Sequence, residues 1–195
     1  MSKITVDTVE PSTGTSLTLG ASGDTISVPS GVTLESAGQP VTNAPAFEAY
    51  KNSTTGSLAD NASTKVAFDV EVFDTDSAYD NSTNYRFTVP SGKAGKYHVY
   101  TTVYMFTAGG ATANEIQVGE LVIKLNGSST TAMVERNTNG YGNSITMQTA
   151  VTLSLSAGDY IEVWGKLDTA GGVTWSIGGT TFQRTTFGAF RLIGV

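Results

Sequence analysis

Carboxylates are the side chains of this sequence whose spacing is most suggestive of chemistry. Asp69, Glu71, Asp74, Asp76 and Asp80 all fall within the segment DVEVFDTDSAYD. Two carboxylates about 5–10 Å apart can hydrolyse a glycoside, and closely spaced aspartates in a loop can hold calcium. The stretch from Asp74 to Asp80 lacks the glycine and the final acid of a complete calcium loop. We therefore expect a solvated loop between strands, with calcium binding as the alternative.

The first two of these carboxylates alternate with apolar residues. Asp69 and Glu71 are interleaved with Phe68, Val70 and Val72, and a period of two is typical of a strand with one buried face. We expect both carboxylates to face water.

Nucleophilic catalysis and metal chemistry find no supporting pattern. The chain has no Cys and one His, and His98 falls in the middle of a predicted strand, where a structural role is expected. No Gly-x-Ser-x-Gly elbow and no phosphate-binding glycine motif occurs, and zinc sites need more His or Cys ligands. The sequence therefore predicts a protein that is not an enzyme, with no catalytic residue, no metal site and no cofactor.

The charge balance argues against a nucleic-acid partner. Of the 195 residues, 11 are Lys or Arg and 17 are Asp or Glu, for a net charge of −6. Phosphate backbones attract the opposite balance. The first residues, MSKITVDTVEPS, include no apolar run typical of a signal peptide, and no segment has the length of a membrane span. We expect no membrane insertion and no export by a signal peptide.

Strand signals dominate the chain after residue 45. Short runs rich in Val, Ile, Thr, Tyr and Phe alternate with turns such as Asn126-Gly127 and Gly158-Asp159, which indicates an all-β sandwich or barrel. We predict strands at residues 46–50, 66–72, 85–89, 97–106, 120–125, 131–136, 145–155, 160–167, 173–177 and 185–193.

The first 45 residues form a separate segment. Each of the stretches 16–23, 24–31 and 32–39 offers only one or two apolar side chains to a strand. One such ribbon cannot offset its ordering entropy, whereas three identical ribbons wound together can. We predict an N-terminal attachment arm or trimeric stalk at 1–45 and a head domain at 46–195, with a disordered leader as the alternative to the stalk.

The strand at 97–106, YHVYTTVYMF, is unusual on both faces. One face carries Tyr97, Val99, Thr101, Val103 and Met105, and the other carries His98, Tyr100, Thr102, Tyr104 and Phe106. A sheet face open to water is normally polar. We therefore predict that Tyr100, Tyr104 and Phe106 contribute to a trimer interface. The alternative is that the tyrosine hydroxyls reach solvent.

A co-linear set of motifs resembles the globular heads of the complement first-component and tumour-necrosis-factor superfamily. The motifs are AFEAYKN at 46–52, YRFTVP at 85–90, GKYHV at 95–99, VTLSLSAGDYIEV at 151–163 and FGAFRLIGV at 187–195. The resemblance implies a ten-stranded jelly-roll sandwich that assembles as a homotrimer and binds rather than catalyses.

The N-terminal arm differs from the collagen stalk that is usual in the animal proteins of this superfamily. It lacks collagen Gly-x-y repeats, and ITVDTVEPSTGTSLTLGASGDTISVPSG looks like the beginnings of tail-fibre and virion-surface proteins of tailed phages. This resemblance implies a virion protein, assembled in the host cytoplasm, whose residues 1–45 bind other tail or capsid proteins. The role is a small receptor-binding tail fibre or, alternatively, a capsid decoration protein. A bacterial lectin-like glycan-binding protein is a further alternative.

Loop tips are the predicted contacts with a host glycan or host protein, because a rigid scaffold tolerates variation there. The loops are 107–114, 137–144 and 168–175. An aromatic ring among small polar residues can stack on a sugar, but we expect Trp175 to lie in the core. The tentative binding residues are Tyr141, Asn139, Asn143 and Asn114.

Overall fold

The structure is a computed structural model, and it divides the chain into two compact units, residues 1–41 and 42–195. The described residues are 9–11, 13–14, 18, 20–25, 27–32, 35–36, 39–40, 44–107, 116–138, 140, 142–180 and 184–192.

The N-terminal unit buries little apolar surface in its described part. It contains strands β1 (Glu35–Ser36) and β2 (Gln39–Pro40), which pair antiparallel. Between positions 9 and 32 every described side chain except Pro11 is exposed. Val9, Val28 and Val32 are among them, so these apolar groups are not part of a buried core.

The second unit is built almost entirely of antiparallel strands. They are β3 (Ala46–Tyr50), β4 (Thr55–Leu58), β5 (Thr64–Lys65), β6 (Val70–Asp74), β7 (Tyr79–Asp80), β8 (Arg86–Thr88), β9 (Gly95–Thr107), β10 (Ile116–Leu125), β11 (Ser129–Asn137), β12 (Ser144–Leu155), β13 (Tyr160–Thr169), β14 (Trp175–Ile177) and β15 (Thr186–Arg191). A single 3₁₀ turn, Ala170–Gly172, is the one helical element of the described residues.

Two sheets face each other in this unit. In the first sheet, β9 pairs along its whole length with β12 on one edge and with β15 and β14 on the other. β3 pairs with β15, and β6 pairs with β3 and forms the edge of the sheet on that side. β4 pairs with β14. The second sheet has the order β11-β10-β13-β8-β7, and β5 also pairs with β13.

The core between the sheets is aromatic at one end. Phe47 stacks on Tyr79 and Phe87 at 4.8 and 4.9 Å between ring centroids, and meets Phe187 edge-on at 5.0 Å. Such pairs add about 0.5–1.5 kcal/mol each beyond the burial of their area. Trp175 is completely buried, and its indole N–H donates to the Ala59 carbonyl at 2.8 Å. The expectation that Trp175 belongs to the core is confirmed.

The predicted strand at 66–72 is wrong in its limits. The Val66 amide donates to the Val163 carbonyl of the second sheet, continuing the pairing of β5. Phe68 is buried, and only from Val70 does the chain pair with β3 in the first sheet. The segment therefore crosses from one sheet to the other, a path that alternation in the sequence does not reveal. The short strands β4, β5 and β7 were not predicted for a related reason: each has only two to four residues.

Candidate functional site

The long strand β9 has the two faces that its sequence predicts. Tyr97, Val99, Thr101, Val103 and Met105 are buried between the sheets. The alternate residues lie half-buried on the outer face of the first sheet, the side that points away from the core; they are His98, Tyr100, Thr102, Tyr104 and Phe106. Tyr100, Tyr104 and Phe106 are thus brought onto one surface, and their role in a trimer stays a prediction.

The ring of Tyr100 lies across a glycine on the neighbouring strand. Gly188 of β15 is paired with Tyr100, and a Cβ atom at Gly188 would lie 2.4 Å from the Tyr100 hydroxyl oxygen and 2.5 Å from Cζ. The hydroxyl donates to Glu48 Oε2 on β3 at 2.8 Å. Burial, together with this hydrogen bond, raises the pKa of Tyr100 above its ordinary value. The ring is therefore pinned flat across three strands.

Tyr104 repeats this arrangement further along β9. A Cβ atom at Gly178 would lie 2.3 Å from Tyr104 Cδ1. The ring of Tyr104 stacks on Phe106, with centroids 5.5 Å apart, and the guanidinium of Arg184 lies 5.5 Å from the Tyr104 ring. Gly188 on β15 and Gly178, the residue after β14, thus allow two tyrosines to lie flat and make the outer face smooth.

Aromatic residues that the sequence did not single out extend this face to the sheet edge. Phe190 packs 5.4 Å from the ring of His98. Glu48 of β3 pairs with Phe73 and Ala49 pairs with Glu71, so a bulge in β6 falls at Val72. Phe73 is 46% exposed. The alternation in FGAFR predicts the face of the sheet on which Phe190 lies. The bulge at Val72 shifts the alternation within β6, so a period of two does not predict the face on which Phe73 lies.

A shallow depression lies on the outer face between β9 and the edge strand β12. Its volume is about 470 Å³. It is lined by Tyr100, Thr101, Thr102, Gln148, Thr149 and Ala150. The surface therefore offers a polar hollow beside flat aromatic rings, a shape that another protein surface can fill.

His98 also lies on the outer face. Nδ1 of the imidazole lies 3.4 Å from Thr152 Oγ1 on β12, and the ring faces Tyr100 at 6.2 Å between centroids. These contacts are those of a structural side chain packed on a sheet.

Described residues in or beside the three predicted binding loops lie close together. The Thr107 amide donates to the Asn143 carbonyl at 2.9 Å, and the Ile116 amide donates to the Gly142 carbonyl at 3.3 Å. Ile116 also pairs with Thr169, where β13 runs into the third loop. Asn143 is exposed there. The other tentative binding residues, Asn114, Asn139 and Tyr141, lie outside the described residues.

The carboxylates of the segment 69–80 mainly accept hydrogen bonds from backbone amides. Asp74 accepts from the amides of Asp76 at 3.2 Å and Tyr79 at 2.7 Å. Asp80 accepts from the amides of Ser82, Thr83 and Asn84 and from the Asn84 side chain, and these hydrogen bonds hold the pKa of Asp80 below its ordinary value. In the parts of the chain that the structure describes, no three His, Cys, Asp or Glu side chains are grouped to hold a metal ion.

Asp69 departs from expectation, because its carboxylate does not simply face water. Oδ1 accepts from the Asn52 amide at 2.6 Å and Oδ2 from the Ser53 amide at 3.1 Å. Burial acts to raise the pKa of Asp69, but these hydrogen bonds and the charge of Lys51 outweigh it, so the pKa lies below the ordinary value. Asp69 ties the crossing segment to the chain after β3. Glu71 is exposed as predicted.

Comparisons with known proteins identify the fold. No protein-family model matches the sequence, and no curated protein does. Among solved structures, the globular domain of zebrafish complement 1qA protein superposes with a TM-score of 0.51 at 15% identity, covering 76% of this chain and 97% of that chain. Murine APRIL at pH 5.0 gives 0.51 at 15% identity, with 75% and 98% covered, and murine APRIL at pH 8.0 gives 0.50 at 17% identity, with the same coverage.

These similarities confirm the fold class. The second unit is an all-β jelly-roll sandwich of the complement and tumour-necrosis-factor kind. No helix in the described residues is long and apolar enough to cross a membrane.

Proposed function

We propose that this protein is a homotrimer whose subunits meet through the outer face of the first sheet, and that it is a non-enzymatic recognition protein of a bacteriophage virion. The observation that carries the proposal is the aromatic outer face itself. Tyr100 and Tyr104 lie flat on glycines, Phe106 and Phe190 continue the apolar surface on β9 and β15, and Phe73 extends it to the β6 edge of the sheet.

Such a face suits a permanent interface between copies of one chain. An antiparallel sheet with one wet face normally carries polar side chains there. Obligate interfaces bury roughly 2,000 Å² or more and resemble a core cut in half, and homo-oligomers close into rings when each subunit contacts the next in the same way. The sequence resemblance to complement and tumour-necrosis-factor heads, which work as trimers, supports the same assembly.

Within a virion, the first role we propose is that of a small tail fibre that binds the host surface. Described residues in or beside the three predicted loops are hydrogen-bonded or paired with one another, and Asn143 is exposed there. A rigid scaffold with variable loops at one end is a common arrangement for recognition. Host-surface glycan or protein is the proposed ligand of these loops.

Capsid decoration is the second candidate role, in which the arm binds the shell and the head projects outward. Val9, Val28 and Val32 are 56%, 40% and 59% exposed. Exposed apolar side chains in a segment with little core of its own are suited to binding another protein. In both roles residues 1–45 attach the protein to the particle.

Gold labelling of phage particles with an antibody against the head separates the two roles. Label confined to the tail supports the receptor-binding fibre, and label over the shell supports decoration. Absence of label from intact particles contradicts both virion roles and favours the lectin-like alternative.

Deletion of residues 1–40 tests the role of the arm. The truncated head is expected to keep its far-ultraviolet circular dichroism spectrum and to lose attachment to particles that lack the protein. Undiminished attachment of a folded head would contradict the proposal. An unfolded head would contradict the domain division instead.

A further inference from the structure

The outer face of the second sheet carries a charged cluster that the proposed trimer interface does not use. At its centre is Glu162 of β13, which is only 2% exposed. Its carboxylate accepts from the Trp164 indole N–H at 2.8 Å and forms an ion pair with Lys65 Nζ at 2.5 Å. Among the described residues, Lys65 is the ion-pair partner of this buried anion.

Two further cations flank Glu162 on the neighbouring strands. Lys124 of β10 is paired directly with Glu162. On the other edge Phe87 pairs with Ile161, and one more step of this antiparallel register brings Arg86 opposite Glu162. The cluster thus holds three cations around one carboxylate, an excess of two positive charges.

Both flanking cations rest on aromatic rings rather than on carboxylates. Lys124 Nζ lies 4.2 Å from the centroid of the Trp164 ring, and the Arg86 guanidinium lies 4.1 Å from that of Tyr160. Among the described residues, neither cation has a carboxylate oxygen within 4.0 Å. Cation–π contacts hold the charged groups in place without cancelling their charge.

Nearby acids cancel only part of this excess. Glu120 forms an ion pair with Lys166 two rows further along the sheet, so that pair is neutral. Asp80 is paired with Arg86 in register, and its carboxylate accepts from the amides of its own loop and stays ionised, which leaves an excess of one positive charge. A local positive charge therefore stands on a chain whose net charge is −6.

We propose that this cluster binds the acidic groups of an anionic polysaccharide. The backbones of Arg86 and Lys124 lie two strands apart, a distance of about 10 Å. Their charged groups lie over Tyr160 and Trp164, four residues apart on β13, so an extended chain that carries several acidic groups can contact both. β10 and β13 are hydrogen-bonded on both edges at this point, so no free backbone edge is available to a peptide strand. Recognition is left to side chains, and the rings of Tyr160 and Trp164 add apolar surface that a sugar can contact.

The site is independent of the proposed trimer, because it lies on the sheet face opposite to the proposed interface. Binding is measured on the full-length protein with sulfated dextran, and with neutral dextran of equal length. The test variant is Arg86→Gln with Lys124→Gln. The control is Arg136→Gln, which removes a positive charge from an exposed position outside the cluster and outside the proposed interface.

The wild-type protein and the control are expected to bind sulfated dextran, more weakly at high salt, and not neutral dextran. The test variant is expected to lose about tenfold or more in affinity with an unchanged melting profile. Equal losses in the test and control variants, or no loss in either, would overturn the site. Tighter binding of polyglutamate than of sulfated dextran would overturn the polysaccharide assignment in favour of an acidic peptide.

Discussion

The ring of Tyr100 occupies the space that a side chain at position 188 would fill. Gly188 and Tyr100 are paired across β15 and β9, and the missing Cβ lets the ring lie flat while its hydroxyl reaches Glu48. A glycine within a strand usually weakens it. Here the glycine allows an aromatic side chain to cover the backbone, which gives the outer face its smooth apolar surface.

Gly188→Ala is expected to destabilise the head by about 1–3 kcal/mol, the usual cost of overpacking. The new Cβ would lie 2.4 Å from the Tyr100 hydroxyl oxygen and 3.0 Å from the Phe47 carbonyl oxygen, and the backbone atom cannot swing away. Urea unfolding measures the loss. Gly56→Ala is the control, because its nearest contact, Ser176 Oγ, is an ordinary 3.4 Å away. Equal midpoints for the two variants would contradict the close packing of Tyr100 on Gly188.

Removal of the two flat tyrosines is expected to dissociate the assembly without unfolding the subunit. Tyr100→Thr with Tyr104→Thr keeps strand propensity and removes both rings from the outer face. Sedimentation velocity should show a smaller species for this variant. Tyr160→Thr, the same substitution on the outer face of the second sheet, should leave the assembly unchanged. An unchanged sedimentation coefficient for the double variant would contradict the proposed interface.

Asp69→Asn is expected to lower stability near neutral pH by about 1–3 kcal/mol, the value of hydrogen bonds to a charged group. The change weakens the bonds from the Asn52 and Ser53 amides and removes the charge near Lys51. Because the pKa of Asp69 is lowered in the folded protein, its contribution is present above the ordinary value of 3.8 and is lost as pH falls through the lower folded value.

Urea midpoints across this pH range check the sign for Asp69. The difference between wild type and Asp69→Asn should shrink as the pH falls below 3.8. A difference that stays constant down to the acid limit would contradict the role of the ionised carboxylate.

Asn126→Asp is expected to destabilise the turn between β10 and β11 at neutral pH. Asn126 donates to Asp159 at 2.9 Å and accepts from the Tyr160 amide at 3.0 Å, and its hydrogen bond lowers the pKa of Asp159. A second carboxylate would replace this donor with a like charge. Repulsion raises the folded pKa of the pair, so the variant should recover stability below about pH 4, where aspartates take up protons.

Melting temperatures at pH 7 and pH 3 test the turn prediction. Adding Asp159→Asn to Asn126→Asp should restore much of the neutral-pH loss, because it removes the facing charge. A variant with the same loss at both pH values would show that charge repulsion is not the cause.

The sequence predicts the β architecture well where strands are long and alternate cleanly. In β9 the period of two runs without interruption, so the buried and outer residues could be assigned before the structure was known. The turns at Asn126-Gly127 and Gly158-Asp159 could also be predicted, because these residue pairs are typical of turns. In the structure both glycines adopt a positive φ.

Other parts of the surface could not be predicted, because they depend on pairing partners. Phe73 reaches the outer face only through the bulge in β6. From the sequence alone, Gly178 and Gly188 indicate a turn or a weak strand. Only the structure shows that each is covered by a tyrosine ring. The cations around Glu162 come from β5, β8 and β10, and no local pattern connects strands that far apart in sequence.

The molar mass of the full-length protein, measured by light scattering coupled to size exclusion, distinguishes a trimer from a monomer. The homotrimer is expected as a single species of about 61 kDa, three times the chain mass of 20.3 kDa, that does not change on dilution. A stable species of 20.3 kDa would contradict the trimer and leave the aromatic face of Tyr100 and Tyr104 as the surface of a monomer.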